Sequence, residues 1–242
     1  MGLGPERIKS GLGVEMNPYD LVPLTLTHVQ YKSGSRFHLF LAYASLFPIL
    51  QLYTYNILIF YTRELTICNV YMGQLLNEFF NLALKKTIKQ PRPTKVLGGG
   101  YGMPSSHAQF VAYLATFIIL HLERRVRLVG DPTNLYKRLY QGVVTVGALL
   151  VGYSRIELGY HTPYQVSVGL TLGVIFGCLY FVVTEEVLRS RYPVRQWILE
   201  SQLGRWTLLR DTWNDSNENE KASPSDAETD FTRRSTRSQK NR

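Results

Sequence analysis

Along the chain, apolar positions gather into long blocks separated by short polar ones. Residues 37–62 hold no Asp, Glu, Lys or Arg in 26 positions, and about 20 apolar residues suffice to cross the hydrocarbon of a bilayer. Further apolar blocks follow at 64–84, 105–122, 139–153 and 162–184. The pattern predicts an all-α, polytopic transmembrane helical bundle of about five spans, with Pro48 a kink in the first.

Polar residues interrupt these blocks in an ordered way. In the second, Gln74, Asn77, Glu78 and Asn81 recur at three- and four-residue steps and so share one helical face. A lipid-facing ionisable group is costly, so that stripe is expected to face the bundle interior or a wet cavity. The next segment, KKTIKQPRPTKVLGGGYGMPSSH, reads as a loop because its prolines and the Gly98–Gly100 run stop a helix.

Four regions result. Residues 1–36 form an N-terminal arm, 37–184 the membrane domain, 185–213 an amphipathic interfacial segment and 214–242 a disordered charged tail. Leu199, Leu203, Trp206, Leu209 and Trp213 supply the apolar stripe of the interfacial segment. Six acids and one Lys over 214–230, then five basic residues over 233–242, mark the tail.

Composition alone misleads here. Mean hydropathy is −0.08 and the formal charge +9, values of a basic soluble protein, yet they average a greasy centre with two polar ends. The distribution excludes a soluble enzyme. The charge fits loops beside a membrane better than nucleic acid, since no recognised nucleic-acid module or aromatic-interleaved basic motif is present. Cys68 and Cys178 both fall in apolar runs, which argues against a disulfide framework. The first apolar run starts too far in for a signal peptide and reads as a retained anchor.

The reactive residues sit at span ends. Lys85 and Arg92 follow the second span, and Ser105, Ser106 and His107 open the third. Ser154 and Arg155 close the fourth, and His161 precedes the fifth. Antiparallel helices would bring all of them to one face of the membrane. Three cations there suit a phosphate, and a helix start at Ser105–Ser106 offers free backbone N–H groups to an anion. Two histidines can divide the work of nucleophile and general acid. No Asp/Glu cluster exists to hold Mg²⁺, so no metal and no cofactor are expected. Lys86, Lys89 and Lys95 read as interfacial anchors, and His28, His38 and His121 as interface or packing residues.

The spacing resembles a known signature. Lys85, six residues, Arg92-Pro93; Pro104-Ser105-Ser106-His107; and Ser154-Arg155, five residues, His161 are similar to the three blocks of the type-2 phosphatidic acid phosphatase and vanadium haloperoxidase superfamily. Flanking words, among them PLTLTHVQY at 23–31, LNEFFN at 76–81, YGMPSSH at 101–107, EEVL at 185–188 and LRDT at 209–212, are similar to its dolichyl diphosphate phosphatase branch.

The resemblance implies a metal-independent hydrolase in the endoplasmic reticulum membrane that converts dolichyl diphosphate to dolichyl phosphate and inorganic phosphate, recycling the carrier for protein N-glycosylation. It assigns attack on phosphorus to His161, protonation of the leaving group to His107, and phosphate binding to Lys85, Arg92, Ser105, the Ser106 backbone and Arg155. Two positions depart from the broad pattern. Ser106 replaces a Gly, and Gln165 stands where an Asp usually follows the nucleophile. Gln165 can still accept the imidazole N–H, without offering full negative charge; Glu78 and Glu157 are candidates to supply it.

Sidedness rests on charge. Nine cations near span ends lie on the face opposite the motifs and five non-ligand cations lie on the motif face, which places the motifs in the lumen and the tail in the cytosol. The only sequon, Asn214-Asp215-Ser216, then falls on the cytosolic side. Two other readings stay open at this level: a phosphatase of the same superfamily acting on phosphatidate or sphingoid phosphates, and a non-catalytic protein that binds or transports phospholipid. Oligomeric state is not encoded in any of these patterns.

Overall fold

A computed structural model describes residues 8–9, 15–16, 21–24, 29–94, 100–126, 133–189 and 194–212. The charged tail expected over 214–242 lies outside the described residues, as do His28, Lys95 and Trp213. Two short antiparallel hairpins come first: β1 (Ile8–Lys9) with β2 (Glu15–Met16), and β3 (Leu21–Leu24) with β4 (Val29–Lys32). Among the described residues, every longer regular element after them is a helix.

α1 (Arg36–Ser45) starts where Ser35 Oγ accepts from the His38 N–H at 3.3 Å. α2 (Phe47–Thr62) continues it past a break at Leu46. The break falls two residues before Pro48, which therefore sits in the first turn of α2, where a missing N–H costs nothing. Arg63 ends α2 in the left-handed conformation, with φ 56°. α3 (Leu65–Ile88) ends the same way at Lys89, and α4 (Ser106–Arg125) and α5 (Leu135–Glu157) follow. α6 (Pro163–Phe181) runs on without interruption as a π-helical stretch, Val182–Leu188.

Two continuous stretches, Arg36–Thr62 and Pro163–Leu188, have both the length and the apolarity to cross a bilayer. α3, α4 and α5, with 24, 20 and 23 residues, reach roughly 30 Å or more at 1.5 Å per residue. Gln74, Asn77, Asn81, Gln109 and Gln141 are buried within them. Phe40, Ile57, Phe60, Phe79, Val146 and Leu179 meanwhile stand exposed on the outside. An apolar surface this extensive is stable only against lipid. The fold is an all-α transmembrane helical bundle.

α4 is its axis and packs most extensively on α6, then on α5 and α3. The α4–α6 contact depends on Gly169, Gly173 and Gly177, one per helical turn. A Cβ on Gly173 would stand 2.4 Å from the Gln109 carbonyl oxygen and 2.7 Å from Ala112 Cβ. Small residues at four-residue spacing let membrane helices approach this closely. The polar stripe of α3 meets α4 through an amide ladder. Asn81 Nδ2 donates to Gln109 Oε1 at 2.7 Å, and Gln109 Nε2 donates to Asn77 Oδ1 at 2.9 Å. Gln74, Asn77 and Asn81 are fully buried in the bundle interior.

The opposite end of the bundle is closed by the C-terminal segment. The single amphipathic helix expected over 199–213 is divided, because Ser201 caps a second helix by accepting from the Gly204 N–H at 3.1 Å. The pieces are α7 (Val194–Glu200) and α8 (Gln202–Thr207). Arg195 donates to both oxygens of Asp211 at 2.7 Å and to Glu185 at 3.2 Å. Glu185 is fully buried and also accepts from Arg189 at 3.0 Å and Asn69 at 2.9 Å. Residues 185–188 lie on the helical continuation of α6.

Candidate active site

The site forms where four helix ends converge. α3 delivers Lys85 in its last turn and α5 delivers Arg155 in its last turn. α4 opens with Ser106 and His107, and His161 precedes α6 in the connection 158–162. The strongly polar blocks scattered over about 80 positions share one end of the bundle.

Specific contacts hold them together. Lys85 Nζ donates to Ser106 Oγ at 3.1 Å, joining the first block to the second. The Ser105 N–H donates to the Gln165 carbonyl at 3.2 Å, joining the second to the third. The N–H groups of Tyr160 and His161 both donate to the Arg155 carbonyl at 3.1 Å, which folds the connection back over the end of α5. Arg155, His107, Lys85 and Arg92 all lie within electrostatic reach of one another or of His161.

Several polar atoms here have no partner among the described residues. Ser105 is fully buried, yet its hydroxyl makes no capping bond to α4 and meets no other group. Nε of Arg92 and Nε of Arg155 are likewise buried and unpaired. A buried donor left unmade costs about 1–3 kcal/mol. Unused donors on two neighbouring cations and on a hydroxyl at a helix start are chemistry suited to an anion.

His161 is almost completely buried. Burial above all, then the charges of Arg155, Arg92 and Lys85, pushes its imidazole down from 6.5 to about 3, against a small opposing effect of Gln165. The ring is therefore neutral at physiological pH. Its tautomer follows from Gln165. The amide of Gln165 is oriented by two backbone groups: Thr162 N–H donates to Oε1 at 3.3 Å and Nε2 donates to the Pro91 carbonyl at 2.9 Å. Oε1 then faces His161 Nδ1 at 3.3 Å and can only accept. The proton sits on Nδ1 and the lone pair on Nε2.

Not every expected helper is present. Glu157 faces His38, Nε2 to Oε1 at 3.5 Å, instead of His161. Glu78 lies near Lys85. Gln165 is the group that meets His161.

Tyr160 was not singled out in the sequence. The Arg155 guanidinium lies over its ring with Cζ 3.8 Å from the centroid, and its hydroxyl accepts from the Gln30 N–H of β4 at 2.9 Å. The signal was an aromatic directly before a candidate histidine. Nothing in its spacing distinguished it from the other aromatics at helix ends.

Comparison with known proteins gives a consistent result. The model of the PAP2 superfamily matches residues 66–189. A dolichyldiphosphatase of Saccharomyces cerevisiae is 34% identical over 209 residues, covering 83% of this chain and 85% of that protein. Dolichyldiphosphatase 1 of Homo sapiens is 36% identical over 199 residues, 78% of this chain and 82% of that one. Lipid phosphate phosphatase gamma of Arabidopsis thaliana is 34% identical over 205 residues, 82% and 88% of the two chains. A crystal structure of a transmembrane PAP2-type phosphatidylglycerolphosphate phosphatase from Bacillus subtilis shares the fold, with TM-score 0.53 and 21% identity over 64% of this chain and 80% of that one.

Proposed function

This chain belongs to the PAP2 superfamily, and from that premise we propose that it hydrolyses dolichyl diphosphate to dolichyl phosphate and inorganic phosphate, with His161 as nucleophile. The observation that carries the mechanism is Gln165 Oε1 facing Nδ1 of a buried His161, which lies within electrostatic reach of three cations.

The terminal phosphoryl group binds between Lys85, Arg92 and Arg155, with the Ser105 hydroxyl and the Ser106 N–H completing its contacts. Nε2 of His161 attacks phosphorus, and the bond to the bridging oxygen breaks. His107 gives that oxygen its proton, so dolichyl phosphate leaves and phosphohistidine remains. Water then attacks phosphorus, His107 takes its proton, and inorganic phosphate departs with Nε2 restored. Gln165 accepts from Nδ1–H throughout, and the cations carry the charge that develops on the phosphoryl oxygens.

The product returns the lipid carrier for protein N-glycosylation. The protein resides in the endoplasmic reticulum membrane, with the site at the lumenal surface and the tail in the cytosol; the unequal distribution of cations along the sequence supports this orientation. The diphosphate meets the site at the interface while the polyprenyl chain stays in lipid.

The test is phosphate release by purified protein in excess EDTA from a panel of dolichyl diphosphate, phosphatidate and sphingosine phosphate. Dolichyl diphosphate should be the preferred substrate, and His161→Ala and His107→Ala should each abolish turnover in folded protein. Preference for a monoester would reassign the substrate, and full activity of either variant would remove the mechanism.

A further inference from the structure

Gln165 invites a modest explanation. It occupies the third position of α6 and forms a capping box with Thr162, its N–H donating to Thr162 Oγ1 at 3.2 Å and its Oε1 accepting from Thr162 N–H at 3.3 Å. Capping uses one end of the amide. The other end is spent elsewhere, on the Pro91 carbonyl 74 positions earlier, at 2.9 Å. Pro91 immediately precedes Arg92.

The surroundings show how closely this contact is built. The segment before it is pinned by the Gly102 N–H, which donates to the Gln90 carbonyl at 2.7 Å, and by a bridge between Pro91 and Tyr101. A Cβ on Gly102 would stand 2.9 Å from both amide atoms of Gln165 and 3.1 Å from Arg92 Cα. Glycine at 102 leaves the room that the amide fills. The Gln165 carbonyl meanwhile holds the Ser105 N–H at 3.2 Å. One buried residue thus touches the segments carrying Arg92, Ser105 and His161.

We propose that Gln165 is a two-ended positioning residue, whose amide N–H sets the Arg92 segment for phosphate while its amide oxygen sets His161 for attack. The proposal rests on the roles given above to Arg92 and His161. It requires at this position a neutral side chain offering a donor and an acceptor together. A carboxylate offers acceptors only, so Glu at 165 would place oxygen against the Pro91 carbonyl oxygen and release the segment behind Arg92. Glu is, however, as good a capping-box residue as Gln. That separates the two explanations.

The experiment compares wild type, Gln165→Glu, Gln165→Met, Gly102→Ala and Arg92→Gln as full-length purified proteins on dolichyl diphosphate. Gln165→Glu should raise KM on the order of tenfold, as loss of a buried hydrogen bond demands. In the Arg92→Gln background the same change should raise KM little further, because the N–H acts through Arg92. The acid limb of kcat/KM should also move to higher pH in Gln165→Glu. The groups facing His161 are Arg155 from α5, Arg92 from its loop, Lys85 from α3 and His107 from α4, so a carboxylate would be the first negative charge beside it. Gln165→Met should lose in both KM and kcat without that pH shift. Gly102→Ala, which presses on the amide from its other side, should reproduce the KM increase.

If Gln165 only caps α6, Gln165→Glu will match wild type in KM, and the proposal falls. Additive KM effects of Gln165→Glu and Arg92→Gln would overturn it equally. Activity of His161→Ala in the same assay would instead overturn the underlying mechanism.

Discussion

As the proposed nucleophile, His161 can attack only while it carries no proton on Nε2. Free in water an imidazole is half protonated near pH 6.5, and at pH 5 nearly all of it would be unreactive. Burial and the facing cations Arg155, Arg92 and Lys85 hold it down to about 3. Because the folded value lies below the unfolded one, the unfolded chain takes up a proton that the folded chain refuses as pH falls below about 6.5. The site therefore subtracts stability from the protein between pH 6.5 and 3, while keeping the proposed nucleophile unprotonated. Nitrogen-15 spectra of histidine-labelled protein should show the His161 ring neutral, protonated on Nδ1, down to pH 5. A ring titrating near 6.5 would mean that the cations do not face it as described.

At this scale the sequence was most informative. His107, His161, Lys85, Arg92 and Arg155 stand in short words whose spacing can be read directly. What could not be read was every contact made by main chain. The Pro91 carbonyl and the Arg155 carbonyl have no letter of their own, although each fixes one part of the site.

Between helices, position is set by how closely α6 lies on α4. Gly169 packs at the Ser105 carbonyl, directly beneath the site, with Gly173 and Gly177 one and two turns below. A side chain at Gly173 meets main chain, which cannot give way as a flexible side chain would. Gly173→Val should therefore force the helices apart, destabilising by several kcal/mol as overpacked cores do. Activity should fall with it, since His161 and His107 ride on opposite sides of this contact. A thermal melt and a turnover assay check both; wild-type values in each would deny that the glycines set the spacing.

The glycine spacing was visible in the apolar run 162–184 but carried no chemistry to draw attention to it. The α3 stripe was easier to interpret, because polar residues in a span must face inward. Its partner Gln109 lay hidden two positions after His107. The apolar stretch of the fourth span covers only 139–153, because Lys137, Arg138 and Arg155 end it. The helix itself runs Leu135–Glu157 and buries both Lys137 and Arg155.

Across the whole molecule, two polar centres occupy opposite ends of one greasy bundle. One gathers cations with unused donors. The other is internally paired, with Arg195 joining Glu185 to Asp211 and reaching Thr66 at 2.9 Å. The words EEVL and LRDT, unexplained as sequence, are the two acidic halves of this clamp. No periodicity relates them, since Arg195 lies 10 positions from one and 16 from the other across a turn of the chain. Arg195→Met leaves two buried carboxylates short of their cation and should cost about 3 kcal/mol. Because the clamp is remote from the phosphate site, KM should stay unchanged while the melting temperature falls. A change in KM with unaltered stability would show that the two ends communicate.

The proposed mechanism requires a covalent phosphate on one nitrogen. Purified protein mixed rapidly with dolichyl diphosphate labelled at its terminal phosphorus, then quenched in alkali, should carry acid-labile label on the peptide containing His161. His161→Ala should carry none. Label on another residue, or steady turnover by His161→Ala, would rule out a phosphohistidine at 161.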